Sequence, residues 1–356
     1  MKRSLRWWLL LLLPIDALII FVVVISLSDF TPKPMETAEI TAVRESDPVI
    51  PDTFSLISWN IGYGGLGSSM DFFYDGGKKV RAGKQQTTVW FEAIGNWLRI
   101  HESTDFILLQ EVDFKAKRSY KMPQDRLLSD ILHNHHAVRT LNYDVLFVPV
   151  PITAPMGYVK AGLMTLSRSR PSASFRHAYP SISGWPERLF LLDRCFLETR
   201  YTLPDGKELV VLNTHNSAFV DDQQLMLQEL EVIRDKMRAE TLAGNMVVAG
   251  GDWNMNPPGF VPNTTYSGHR FVPLPVSIPD GFFGNEWLFV YDNRAPSNRH
   301  LDQAYTKGTT GSTTIDFFIV SDMLEVVAHE VIDLGFENSD HNPVRISLRP
   351  KNPVKP

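Results

Sequence analysis

Cysteine is all but missing from this chain of 356 residues. Cys195 stands alone, so no intrachain disulfide can form and a cysteine-rich zinc site is excluded. The histidines lack the close helical spacing of hydrolytic zinc motifs. Positive charge is also in short supply. A formal net charge of -5 offers no general attraction to a polyanion, and no extended basic stripe stands in for it. A duplex-binding face would have to come from a local patch. Internal repeats and low-complexity tracts are absent, which sets aside fibrous and long disordered readings. What remains is ordinary globular composition, 44% hydrophobic and 21% charged, with length enough for one large core or two smaller ones.

The first thirty residues differ from the rest. Lys2, Arg3 and Arg6 precede an apolar run from Trp7 to Leu27, close to the ~20 residues that span a bilayer as helix. The run exceeds a signal-peptide core and no A-x-A site follows it, which favours an uncleaved anchor. Flanking positive charge would keep the N-terminus in the cytoplasm. The expectation is a single-pass membrane protein whose catalytic part is extracytoplasmic, with Pro14 and Asp16 as awkward residues inside the span.

From Asp29 to Asp52, four prolines and scattered charge suit an extended linker. The expected division is an anchor at 1–28, a linker at 29–52, a catalytic domain at 53–349 and a tail at 350–356. Within the domain, short apolar runs rich in β-branched and aromatic residues alternate with amphipathic stretches. FSLISWNI, DFILLQEV, KELVVLNTH, NMVVAGGDW, TTIDFFIVS and NPVRISL read as strands, and TTVWFEAIGNWLRI and the stretch from Asp221 to about Thr241 as helices. Polar residues cluster just after the apolar runs, where layered α/β folds carry their chemistry. Two Gly- or Pro-rich regions, Gly62 to Gly83 and Pro257 to Gly284, read as long loops rimming a site. His133, His135 and His136 read as a solvated helix end.

Phosphoester hydrolysis needs a metal on hard oxygen ligands, a group that activates water, and donors that stabilise charge on phosphorus. Asn60, Glu111, Asp252, Asn254, Asp316 and Asp340 sit beside strand-like runs and offer oxygens suited to Mg2+ or Mn2+. Taken singly, each is more often a turn or cap residue. The ordered set SWNIG (58–62), LLQEVD (108–113), NTH (213–215), GGDWN (250–254), TIDFFIV (314–320) and SDH (339–341) resembles the endonuclease/exonuclease/phosphatase superfamily. That superfamily includes deoxyribonuclease I, exonuclease III-type nucleases and neutral sphingomyelinases. The likeness runs from about Phe54 to Leu348.

The resemblance implies a four-layer α/β sandwich, two packed mixed sheets flanked by helices. It implies metal ligation by Asn60, Glu111 and Asp340, and catalytic roles for His215, Asp252, Asn254, Asp316 and His341. Asp316 would orient His341, and either His341 or Asp252 would take the proton from water. Arg194, Asn254 and His215 would contact the substrate phosphate.

The expected activity is metal-dependent hydrolysis of a phosphodiester or phosphomonoester by in-line attack of water. The anchor and the acidic balance point to a phospholipid or sphingolipid headgroup as substrate. An extracytoplasmic nuclease acting on DNA or RNA is the alternative, and a non-catalytic domain binding a phosphorylated ligand a second one. No obligate protein partner is evident.

Overall fold

The computed structural model describes residues 2–43, 49–181, 184–218, 223–261 and 276–351. Its helices are α1 (Lys2–Leu27), α2 (Lys84–Ile100), α3 (Gln124–Ile131) and α4 (Gln223–Leu242). The strands are β1 (Met35–Thr37), β2 (Glu39–Thr41), β3 (Phe54–Asn60), β4 (Phe106–Ala116), β5 (His136–Val148), β6 (Gly157–Ser167), β7 (Ala173–Ala178) and β8 (Cys195–Thr202). They continue with β9 (Glu208–His215), β10 (Met246–Asp252), β11 (Trp287–Val290), β12 (Asn298–Arg299), β13 (Ser312–Thr313), β14 (Asp316–Ser321), β15 (Leu324–Val331) and β16 (Val344–Pro350).

Period-two alternation sorts the apolar side chains into layers. In β9, Leu209 and Val211 face inward to meet Phe54, Leu56, Phe106, Leu108, Val248 and Ile346 between the two sheets. Val210 and Leu212 face outward against Met226, Leu230, Ile233 and Met237 of α4. On the other sheet, Ile107 and Leu109 face outward against Phe91, Ile94 and Leu98 of α2 and Leu128 of α3. The result is a two-sheet α/β sandwich with helices on both outer faces.

The seven-stranded sheets run β1-β7-β8-β9-β10-β14-β11 and β15-β16-β3-β4-β6-β5-β2. Each contains one parallel pair, β9 with β10 and β3 with β4. The strands of those pairs all end at one rim of the sandwich. Gly251 allows the close approach there, since a Cβ on it would lie 2.0 Å from the Thr214 carbonyl oxygen of the paired strand.

The segment expected as a linker is partly ordered. β1 and β2 occupy the edges of different sheets, pairing with β7 and β5, so residues 35–41 strap one sheet to the other.

The expected membrane span is corrected. Among the described residues, no helix is long and apolar enough to cross a membrane. α1 carries Pro14 internally, and its C-terminal end docks on the domain. Ile25 is buried, the Phe21 ring meets Phe147 edge-on at 5.9 Å, and Trp185 Nε1 donates to Ser26 Oγ at 3.1 Å. The single-pass topology, the membrane partner and the extracytoplasmic placement that rested on that span go with it.

A second correction concerns the histidines expected at a solvated helix end. His135 and His136 are buried: a His135 ring nitrogen meets the Thr104 carbonyl at 3.1 Å, and Val43 N, just past β2, donates to His136 Nδ1 at 3.3 Å. Only His133 is exposed.

Candidate functional site

Asn60, His215 and Asp252 are the last residues of β3, β9 and β10, and Asp316 is the first of the antiparallel β14. Strand register brings the residues from one sheet into a row, with His215 opposite Asp252 and Asp252 opposite Asp316. Glu111 follows Gln110, the partner of Asn60. Its φ of +53° lies where the β4–β6 register shifts between Leu109 and Val112. The bulge turns its carboxylate toward the rim, a common device beside active sites.

Two buried amides couple the sheets beneath this row. Gln110 Nε2 donates to Asn213 Oδ1 at 2.8 Å, and Asn213 Nδ2 donates to the carbonyls of Leu109 and Met164.

The carboxylates and imidazoles converge. Asn60 Nδ2 donates to Asp252 Oδ2 at 2.9 Å and to Glu111 Oε1 at 3.2 Å, while its Oδ1 accepts from Gly62 N at 3.0 Å. Asn60 therefore brackets two carboxylates and keeps one oxygen lone pair free. His215 Nε2 lies 3.5 Å from Asp252 Oδ2 and 4.0 Å from Glu111 Oε1. His341 Nε2 lies 3.7 Å from Asp252 Oδ2 and 3.9 Å from Asp340 Oδ2. Asp316 Oδ2 accepts from His341 Nδ1 at 2.7 Å and from Ser297 Oγ at 2.7 Å. Asn254, with φ of +52°, donates its backbone N–H to Asp252 Oδ1 and its Nδ2 to the Asn216 carbonyl.

Burial makes these groups influence one another strongly. Burial alone would depress the His341 ring, but Asp316, Asp252 and Asp340 outweigh it and hold its proton affinity well above that of free histidine. Burial, joined by the charges of Arg194 and His341, keeps His215 well below the usual value. Asp252 is pushed up to about 7 by burial and by Asp316, against the opposing pull of His341. Asp340 is pushed up to about 6 by burial and by Glu111, with His341 again opposing. The site thus holds two imidazoles of opposed proton affinity among crowded carboxylates.

Those carboxylates fit a hard divalent cation. Asp252, Asp316 and His341 form an acidic and histidine cluster, each bringing one ligand atom within 4.8 Å of the others. Glu111, Asp340 and Asn60 add oxygen donors on the open side, and added positive charge would relieve the crowding that raises Asp340 and Asp252.

All nine residues singled out in the sequence lie at this rim, and all but Asn60 and Asp316 line a single cavity of about 550 Å³. Arg194 stands one strand from His215, since the residue after it, Cys195, pairs with His215. The loop from Gly62 to Gly83 forms part of the wall through Tyr63, Leu66, Phe72, Tyr74 and Asp75. Burial, with Asp340 and Glu111, pushes Asp75 up to about 8. Half of the second expected rim loop, residues 262–275, lies outside the described residues, and Val276 just after that stretch lines the cavity.

Several participants carry no sequence signal. Asn298 Nδ2 meets His341 Nε2 at 3.0 Å. Its NH2 donates to a neutral ring, and after a half-turn its carbonyl accepts from the imidazolium. Arg299 is buried and donates to the carbonyls of Leu66, Gly67, Met70, His300 and Gln303. Ser297 fixes Asp316. All three lie in APSNRH, which has neither an apolar run nor a strand-end pattern to mark it.

A two-sheet α/β sandwich with carboxylates and an Asp-His pair gathered at one rim of its sheets defines a metal-dependent phosphoric ester hydrolase. The model of the Endonuclease/Exonuclease/phosphatase family matches residues 57–341, from β3 to His341 itself, and the chain belongs to that family. No curated protein matches it.

Among solved structures, an endonuclease/exonuclease/phosphatase from Beutenbergia cavernae DSM 12333 is similar with a TM-score of 0.58 and 18% identity, covering 85% of this chain and 72% of that one. TDP2 of D. rerio in complex with a single strand DNA product gives 0.52 and 14%, covering 83% and 98%. The human Nocturnin catalytic domain with a bound sulfate anion gives 0.51 and 14%, covering 87% and 97%. At these identities the likeness is one of fold.

Proposed function

We propose that the chain is a phosphodiesterase acting on single-stranded nucleic acid, with Mg2+ or Mn2+ held by Glu111, Asp340 and Asn60. The observation that carries this reading is the cavity. It joins the acidic and histidine centre to Arg118 and Arg194 and to Phe72 and Tyr74. Phe72, Phe73 and Tyr74 pack ring against ring at 4.2 to 5.6 Å, and Tyr74 remains 48% exposed. Aromatic faces beside the Arg194 guanidinium suit unpaired bases and their backbone. That a similar fold, TDP2 of D. rerio, holds a single strand DNA product supports the same choice. The case for a lipid headgroup drew on the expected anchor and loses it.

In this reading the ion stabilises negative charge on the phosphoryl oxygens and on the attacking and leaving oxygens. Asp252 and His341 lie together where one of them accepts the proton of the attacking water. Asp316 and Ser297 hold His341 in one orientation, and Asn254 and His215 face the scissile phosphate. Inversion at phosphorus without a covalent intermediate follows from in-line attack.

The test is hydrolysis by the full chain, with Mg2+ or Mn2+ and an EDTA control, of a single-stranded oligonucleotide, plasmid DNA, RNA and sphingomyelin vesicles. Metal-dependent cleavage of the single strands is expected, and Glu111→Gln abolishes it. Headgroup release from the vesicles alone would overturn the nucleic-acid reading.

A further inference from the structure

One acid sits in the apolar stripe by which α4 packs on its sheet. Glu229 lies at helical spacing between Met226 and Ile233 of that stripe, is 0% exposed, and forms no ion pair among the described residues. A buried carboxylate without a cation is costly unless hydrogen bonds replace the water it leaves. Here they come from the two residues that follow β9. Glu229 Oε2 accepts from Ser217 N at 2.9 Å and from Asn216 Nδ2 at 3.3 Å, and Oε1 accepts from Ser217 Oγ at 2.6 Å. Burial pushes the Glu229 carboxyl above the usual carboxylate range, against the pull of these bonds and of Arg194.

The Ser217 N–H belongs to the same peptide group as the Asn216 carbonyl, and in a trans peptide the two point in opposite directions. That carbonyl accepts from Asn254 Nδ2 at 2.8 Å. One peptide plane is therefore gripped by Glu229 on one side and grips Asn254 on the other. Hydrogen bonds in such a row polarise one another, the carboxylate drawing on the N–H and making the carbonyl a stronger acceptor. Asn216 is pinned from two more directions. Its N–H donates to the Asp252 carbonyl at 3.0 Å, and its Oδ1 accepts at 2.7 Å from Thr214 Oγ1, which also meets the Tyr179 hydroxyl at 2.7 Å.

Asn254 needs such a hold. Its φ of +52° is one that few residues other than glycine adopt, and its amide could present either end to the cavity it lines. A carbonyl partner decides between the two ends, because only the NH2 can donate to it. We infer that Glu229 is a positioning residue which, through the Asn216–Ser217 peptide, fixes the amide of Asn254. Glu229 itself is outside the cavity lining, so its effect falls on turnover and not on substrate affinity. That kinetic consequence rests on the proposed phosphodiesterase reading, whereas the coupling of Glu229 to Asn254 belongs to the folded chain itself.

The experiment follows hydrolysis of a single-stranded oligonucleotide by the full chain with Mg2+. Glu229→Leu is expected to lower kcat by about tenfold or more with KM held within about twofold, the signature of a displaced group at the reacting phosphate. Glu229→Gln keeps kcat within about threefold, because its oxygen still accepts from Ser217 N while its NH2 faces a Ser217 hydroxyl that turns to accept. In an Asn254→Ala background, Glu229→Leu costs less than about twofold more in kcat, although it lowers the Tm as much as before. A kcat loss of equal size in both backgrounds would show that Glu229 serves the fold alone and would overturn the inference. Nuclear magnetic resonance of the chain without substrate or metal gives a reading that needs no activity. Removing the charge weakens the row of bonds, so the Asn254 NH2 protons should exchange with solvent about twofold or more faster in Glu229→Gln than in the wild type. If the wild type hydrolyses nothing, the phosphodiesterase reading falls, yet faster exchange still supports the coupling and unchanged exchange refutes it.

Discussion

At the scale of single residues, Asp316 and Asp252 meet the same imidazole at its two nitrogens. Asp316 bonds one ring nitrogen of His341 at 2.7 Å, fixing its tautomer and supporting its charge. Asp252 faces the other nitrogen at 3.7 Å, in position to exchange a proton through water. Asp316→Asn keeps the shape and removes the charge. We expect turnover to fall by about 10²–10⁴-fold with the fold intact, and the pH–rate profile to shift because His341 loses its proton at lower pH.

Asp252 gives a second prediction, about stability without metal. Folding raises its pKa from the 3.8 of an ordinary aspartate to about 7, so between those limits the folded chain binds more protons there than the unfolded chain. Its contribution to stability is full below about pH 4 and is lost as pH rises through 7. Asp252→Asn, measured in EDTA, should therefore raise the Tm at pH 8 by roughly 5 °C and change it little at pH 4. An equal shift at both pH values would show that the substitution acts through packing.

At the scale of elements, the two-residue strand β12 organises more of the site than its length suggests. Asn298 bridges to His341, Arg299 N donates to the Asp340 carbonyl at 3.0 Å, and the Arg299 guanidinium collects carbonyls from the Gly62–Gly83 loop. Arg299→Met leaves those carbonyls unpaired in a buried setting. The expected cost is about 3 kcal/mol or more of stability, read by denaturant unfolding, together with a raised KM as the loop carrying Phe72 and Tyr74 loosens. A KM unchanged at full folding would show that the loop holds its place without Arg299.

What the sequence reveals also divides by element. The strands β3, β4, β9, β10 and β14 carry apolar runs because both of their faces are covered, by the opposite sheet and by helices or loops, and polar residues stand out against those runs; β16 alternates instead, with Val344, Ile346 and Leu348 buried and Arg345 and Arg349 exposed. β5 and β6 are longer but escape notice. Arg139, Asn142 and Asp144 interrupt β5, and register shifts spoil its alternation. β1 and β2 have three residues each and exist only because sheet edges offer them partners. The catalytic carboxylates and histidines are legible because they lie at or beside the apolar runs of strands. Asn298 and Arg299 are not, because tertiary contacts alone bring them to the cavity.

At the scale of the whole molecule, the site lies where the two sheets meet, and its crowded carboxylates are a cost the fold bears without a cation. Each sheet contributes side-chain oxygens: Glu111 and Asp340, with the amide of Asn60, come from one side, Asp252 and Asp316 from the other. A divalent ion on Glu111, Asp340 and Asn60 would face the carboxylates of Asp252 and Asp316 and should therefore draw the sheets together by charge as well as serve the chemistry. Binding to the folded state alone adds RT ln(1 + [L]/Kd), about 2.7 kcal/mol at a hundredfold excess over Kd. Mg2+ or Mn2+ at saturation is thus expected to raise the Tm by several degrees over an EDTA control, and Glu111→Gln to abolish most of that gain. The same metal should flatten the pH dependence of stability between about pH 4 and 7, because it holds Asp252 and Asp340 ionised in the folded state. A Tm indifferent to Mg2+, Mn2+ and EDTA alike would mean that the carboxylates do not hold an ion in the folded chain, and the metal-dependent reading of the site would fall with it.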